Sequence, residues 1–178
     1  MAQITAGTWN FDPTHTEIGF TVRHIMSKVR GKFEKFEGSI TTKPEITEST
    51  TTATIDLASV NTGTPDRDAH LRSSDFFSVE SNPTMTFTST GVVEKSDTEF
   101  VVTGDLTIKD VTRPVELAVE FLGEGKDPWG GTRVGVEATT SISRKEFGID
   151  FNIPLEGDKL MIGDKISIVI TGEAVLAQ

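Results

Sequence analysis

Apolar and polar residues alternate one for one through most of this chain, in segments of about ten residues bounded by Gly, Pro, Asn, Asp or Thr-rich turns. A period of two belongs to the extended strand, whose side chains point to opposite faces in turn; a helix repeats its faces about every 3.6 residues. The first long segment puts Ile18, Phe20, Val22 and His24 on one face and Glu17, Gly19, Thr21 and Arg23 on the other. One side suits a core and the other suits water.

Seven further segments repeat the pattern. They carry Phe36, Gly38 and Ile40; Ala53, Ile55 and Leu57; Met85 and Phe87; Phe100, Val102, Leu106 and Ile108; Val115, Leu117, Val119 and Phe121; Val134, Val136, Ala138 and Ile142; and Ile166, Ile168 and Ile170. Eight antiparallel strands close as a barrel or stack as a sandwich, and the pattern alone serves both. Strand length favours the barrel, because several runs reach ten residues or more where an average strand has about five or six. The expected class is therefore all-β: an extended eight-stranded antiparallel barrel spanning residues 1–178 as one domain, a length that buries a sizeable core without staples.

One segment leaves the pattern. Thr64 stands at a cap position, Pro65 at the first helical position and Asp66 at the positive end of the dipole, predicting a short helical insertion to about Ser74. Phe76 and Phe77 follow it and are expected to pack against the barrel. Thr47 to Thr54 reads as an edge or turn, Asp127-Pro128-Trp129-Gly130 as a turn anchored by Trp129, and Gly163-Asp164 as a turn opening the last strand. The stretch from Ser143 to Leu155 is long and apolar for a connection, as functional lids are.

Composition removes several functions. There is no cysteine, so disulfides, thiolate metal sites and thiol nucleophiles are excluded. A formal net charge of −10 disfavours nucleic acid as a partner. No apolar run is long enough to span a bilayer as a helix, and Met1 to Gly7 has neither the basic start nor the apolar stretch of a leader, so a cytoplasmic location is expected.

Candidate chemistry is sparse. His15, His24 and His70, with Asp12 or Asp68, are the available ingredients for a metal site or for activating Ser73 or Ser74. His15 and His24 lie nine apart, which on one uninterrupted strand places them on opposite faces. Arg67, Asp68 and His70 together form a candidate polar mouth, since a guanidinium can hold a phosphate or phenolic oxygen; their structural alternative is to pin the helix to the rim.

Several words appear in one order: Thr8-Trp9-Asn10-Phe11-Asp12-Pro13-Thr14-His15, Val29-Arg30-Gly31-Lys32-Phe33, Arg67-Asp68-Ala69-His70-Leu71, Ser74-Asp75-Phe76-Phe77, Gly104-Asp105-Leu106-Thr107-Ile108, Asp127-Pro128-Trp129-Gly130 and Ile162-Gly163-Asp164. On these words, from about Thr8 to Glu173, the chain resembles the YceI-like family of lipocalin-like polyisoprenoid-binding proteins. The resemblance implies a lipocalin-like barrel carrying a polyisoprenoid or comparable amphiphile, often as a homodimer; no catalysis, no metal and no cofactor beyond the bound lipid are expected. Some relatives carry a secretory signal and are periplasmic.

The residues expected to line the apolar interior are Ile18, Phe20, Val22, Phe36, Ile40, Met85, Phe87, Leu106, Leu117, Val119 and Phe121 on strands, and Phe76, Phe77, Phe147 and Phe151 off them. Large side chains mix with the small Gly38, Ala53, Gly104 and Ala138, which predicts an elongated tunnel for a guest of few polar contacts. An enzyme acting on an amphiphile through His70 and Asp68, and a ligand-free structural barrel, are the competing readings.

Overall fold

The computed structural model describes residues 3–178. Met1 and Ala2, which open the segment read above for a leader, lie outside the described residues. The strands are β1 (Gly7–Phe11), β2 (Glu17–His24), β3 (Ser27–Phe33), β4 (Phe36–Thr42), β5 (Thr50–Asp56), β6 (Val60–Asn61), β7 (Thr84–Glu94), β8 (Glu99–Ile108), β9 (Val111–Lys126), β10 (Thr132–Ser143) and β11 (Ile162–Leu176). All pairings are antiparallel, and the sheet closes on itself where β1 meets β11.

These eleven strands occupy eight barrel positions. β1 and β2 both lie along β11, with Trp9 opposite Leu176 and Ile18 opposite Ile170. On their other side β1 pairs with β4 and β2 with β3. They are thus two halves of one long strand broken at residues 12–16, and β3 with β4 is its hairpin partner, broken at Glu34 and Lys35. A 3-10 turn over Leu57–Ser59 divides β5 from β6 in the same way. The expected count of eight positions holds, but β1 and β3 escaped the sequence pattern. β1 is short, and the glycine in Lys28-Val29-Arg30-Gly31-Lys32-Phe33 interrupts the apolar face of β3.

The break after β1 is chemically defined. Pro13 has no N–H for a ladder, and the Asp12 carboxylate accepts from the Thr14 N–H (3.0 Å), the Thr14 hydroxyl (2.7 Å) and His15 Nδ1 (2.8 Å). Arg133 of β10 reaches across to it, donating from Nη1 to Asp12 (2.8 Å) and Glu173 (3.2 Å) and from Nε to Asp127 (2.8 Å). The Arg133 guanidinium, then His15 and Thr14, hold the Asp12 carboxyl far below the usual carboxylate range. A carboxyl depressed in the folded state stabilises the fold above its unfolded pKa of about 4, and that contribution is lost as pH falls toward the folded value. Asp12→Asn is therefore expected to lower stability at neutral pH, with the gap from the parent narrowing below about pH 4. Urea unfolding across pH reads this, and a gap that does not change with pH contradicts it.

The helical insertion is α1 (Pro65–Arg72), two residues shorter than expected, with Pro65 at its start. Thr64 occupies the cap position but its side chain makes no capping hydrogen bond; its carbonyl accepts from the Asp68 N–H at 3.0 Å. Ser73 closes the helix, its hydroxyl donating to the His70 carbonyl at 2.6 Å. Phe76 is buried and Phe77 half-buried against the barrel, in the same cluster as Phe33 and Phe87.

Three turn or edge expectations are corrected. The stretch from Thr47 to Thr54 is a turn only at its start, where a 3-10 turn covers Ile46–Glu48; from Thr50 on it is β5, and no edge, since β5 pairs with β4 on one side and β7 on the other. Its threonines have the β-branched stiffness that suits a strand. Trp129 is not an anchor: the turn forms on the Asp127 carboxylate, which accepts from the N–H groups of Trp129 and Gly131, and the indole is 82% exposed. Gly163 and Asp164 lie inside β11, whose pairing with β2 slips between Ile162 and Ile166.

Candidate functional site

The barrel encloses a cavity of about 400 Å³, within the range of small-molecule sites. Its wall is built from the inward faces of all eight positions. Along β10, Val134, Val136, Ala138, Thr140 and Ile142 line it at every second residue. At about 3.3 Å per residue that row covers roughly 25 Å of strand, so the cavity is elongated. One end reaches Ile4, Trp9, Phe121 and Val134; the other reaches His24, Val29, Met161 and Ile162.

Nearly every residue predicted to face inward does so. Ile18, Phe20, Val22, Phe36, Ile40, Phe76, Phe77, Met85, Phe87, Leu106, Leu117, Val119, Phe121 and Phe147 all line the cavity. Phe151 does not. Its ring packs edge-on against His70 (5.0 Å) and Phe76 (5.3 Å), forming an outer layer behind the wall. Among the small residues, Ala53 and Ala138 border the open space, whereas Gly38 and Gly104 create none. A Cβ on Gly104 would stand 2.4 Å from the Phe87 ring, and one on Gly38 would stand 3.1 Å from the Phe11 ring. At Gly104 the Phe87 ring fills that place; at Gly38 the Thr52 carbonyl (2.8 Å) and the Phe11 ring share it.

The predicted polar mouth divides. Arg67 and His70 border the cavity and Asp68 does not. Asp68 is buried, accepting from the Thr62 N–H (2.8 Å) and hydroxyl (2.6 Å). Arg67 donates from Nε to the Thr62 hydroxyl (2.7 Å) and from Nη2 to the Thr62 carbonyl (2.9 Å). Both therefore tie α1 to the chain before it, without an ion pair between them. His70 Nε2 meets Asp75 at 2.8 Å, and the Ser73 hydroxyl turns to the His70 carbonyl, not to its ring. The His70–Asp68 arrangement needed for catalysis is not assembled. Among the described residues no group of three His, Asp or Glu side chains is placed to hold a metal ion.

Several lining residues stand outside the segments whose alternation is clearest. Trp9 and Phe11 come from β1, and Val29 and Phe33 from β3. Trp9 is fully buried, with Nε1 donating to the Thr42 hydroxyl at 2.9 Å. The same alternation runs through Thr8-Trp9-Asn10-Phe11 and was the available signal. Arg144 is the other, a nearly buried guanidinium in the wall. It donates to the carbonyls of Gly163 (2.8 Å), Ile149 (2.9 Å) and Phe151 (2.9 Å). Burial pushes its pKa down, against the raising influence of Asp164 and Asp150.

A closed eight-stranded antiparallel barrel around a long apolar cavity, with one short α-helix among the described residues, defines a lipocalin-like architecture. The chain belongs to the YceI-like family: the YceI-like domain matches residues 9–174. It is similar to a UPF0312 protein of Photorhabdus laumondii, 47% identical over 135 residues that make up 75% of this chain and 70% of that one. In fold it is similar to Burkholderia cenocepacia BcnA, with a TM-score of 0.81 at 21% identity over 92% of this chain and 98% of the other. It also shares its fold with a polyisoprenoid-binding domain from Saccharophagus degradans, with a TM-score of 0.69 at 16% identity over 97% and 100% of the two chains.

Proposed function

We propose that this protein binds and carries a long-chain amphiphile, a polyisoprenoid or an isoprenoid-quinone-type molecule, inside its barrel and performs no chemistry on it. The observation that carries this reading is the elongated cavity inside the barrel, whose wall is apolar over almost its whole length. Apolar burial contributes about 0.8 kcal/mol per methylene, so a guest of a few dozen carbons is held by its chain more than by any one polar contact. An empty cavity of this kind would forfeit dispersion contacts along its entire lining. Membership of the YceI-like family and the likeness in fold to a polyisoprenoid-binding domain support the same class of ligand. Arg67, His70, Arg144 and His24 are among the polar groups that border the cavity; Arg67 is committed to Thr62 and Arg144 to backbone carbonyls, which leaves His24 and His70 as the cationic candidates to meet a polar head.

Native mass spectrometry of protein purified from its own host, followed by solvent extraction, tests the proposal. The expected result is a stoichiometric, unmodified long-chain molecule. A protein that carries no guest, or one that converts an added ester or phosphate, overturns it. The same spectrum reads whether the carrier is a monomer or the homodimer implied by the resemblance.

A further inference from the structure

From Ile18 to Phe33 the chain carries Arg23, Lys28, Arg30 and Lys32 and not one Asp or Glu, although the net charge of the whole protein is −10. This is the hairpin of β2 and β3. Its pairing puts Arg23 directly opposite Lys28 and Thr21 opposite Arg30. Like charges across an antiparallel pair are unfavourable, and among the described residues Lys28, Arg30 and Lys32 make no ion pair that would relieve them. All four basic side chains are exposed. Arg23 is partly engaged, donating to the carbonyls of Ile25 (3.1 Å) and Leu160 (3.3 Å).

The tip of this hairpin is the two-residue turn Ile25-Met26. Ile25 has φ of 54°, a region that suits Gly or Asn and is strained for a β-branched side chain. The strain is spent on exposing two apolar groups, since Ile25 is 44% and Met26 96% exposed. The Ile25 N–H donates to the Met161 carbonyl (2.7 Å), and the Met161 N–H to the Ile153 carbonyl (3.0 Å), which brings the exposed Ile153 to the same end. Glu156, Asp158 and Lys159 follow in the small loop that Leu155 N–H closes onto the Lys159 carbonyl (2.9 Å), between Ile153 and Met161. On their inward side the last rungs of the hairpin, Val22, His24 and Val29, line the cavity.

We infer that the β2–β3 hairpin docks the barrel on an anionic lipid surface, with Ile25 and Met26 entering the boundary between headgroups and chains and Lys28, Arg30 and Lys32 lying against the phosphates. An apolar tip beside a basic stripe is the combination that holds peripheral proteins on such membranes. Docking there would set the His24 end of the cavity against the bilayer, the source and sink of a long-chain guest. The inference rests on the carrier reading for its purpose, but the docking itself is measured without any guest.

Co-sedimentation with phosphatidylcholine vesicles, with and without phosphatidylglycerol, is the test. The protein is expected to pellet with the anionic vesicles at low salt and to release in high salt. Combining K28Q, R30Q and K32Q should weaken that binding roughly a hundredfold, because each basic group near such a surface counts for most of a factor of ten. M26D should weaken it as well. Uptake of Nile red into the cavity and the thermal melt are expected to match the parent in both variants, which separates loss of docking from loss of fold or of the cavity. Equal binding to neutral vesicles, no pelleting with anionic ones, or undiminished binding by the triple variant overturns the inference. Self-association through the hairpin in place of vesicle binding assigns the patch to a second copy and overturns it too.

Discussion

Ala138→Phe is expected to cut the length of chain the barrel accepts while leaving the fold nearly as stable as before. Ala138 lies in the middle of the inward row of β10, between Val136 and Thr140, with Val119 and Ile170 opposite it on the neighbouring strands. It borders the open cavity and is itself only 8% exposed, so a ring placed there crosses the tunnel about halfway along. A guest prevented from threading past that point loses about 0.8 kcal/mol for each excluded methylene; ten carbons amount to about 8 kcal/mol. Long guests should therefore vanish from the native mass spectrum and shorter ones replace them. Overpacking a solid core costs about 1–3 kcal/mol, whereas an open cavity absorbs the added volume. Loss of stability with unchanged guest length would show an interior already full, and carriage would fail with it. Gly104 offers no such test despite its inward face, because the Phe87 ring already occupies the space its side chain would enter.

Arg144→Met is expected to destabilise the protein by about 3 kcal/mol or more, with the damage concentrated between residues 149 and 162. Arg144 closes the 3-10 turn after β10 against the start of β11, and its guanidinium serves carbonyls on both sides of the intervening loop. Methionine fills a similar volume but strands the carbonyl oxygens of Ile149, Phe151 and Gly163, each left without its donor at about 1–3 kcal/mol where water cannot reach it. For a chain of this size that corresponds to a fall in Tm of roughly 6–12 °C. Hydrogen exchange in the loop should quicken beyond the general loss of stability. Arg144→Lys is expected to recover only part, because an ammonium offers its donors from one point and cannot span acceptors that the planar guanidinium reaches together. A methionine variant as stable as the parent would show that the loop is held by Phe147 and Ile149 alone.

The buried arginine illustrates where sequence reading stops. Ser143 to Leu155 was legible as a long apolar connection, and Phe147 as a residue that goes inside. Nothing local to Arg144 marks it as buried, since a charged residue flanked by Ser143 and Lys145 looks like ordinary surface. Its burial is possible only because four carbonyls, two from the loop and two from the start of β11, converge on it, and that convergence exists only in the closed fold. Asp68 is the converse case. Beside Arg67 in the sequence it suits half of a headgroup site, but a carboxylate six residues past Thr62 is satisfied by that residue's own N–H and hydroxyl. The shorter path prevailed.

What the sequence determined by itself is which faces go inside. Alternation assigned Phe20, Phe87 and Phe121 to the interior because a strand's period of two admits one inward set, and a slip of one residue would bury Thr21, Thr88 or Glu120 instead. Only the tertiary structure decided how much of that interior stays open. Gly38 and Gly104 resemble Ala53 and Ala138 in the sequence, yet the places of the first pair are taken by the Phe11 ring with the Thr52 carbonyl and by the Phe87 ring, and the second borders the cavity. Whether a small residue leaves space depends on the side chain across the neighbouring strand, and register and closure place that partner, not proximity along the chain.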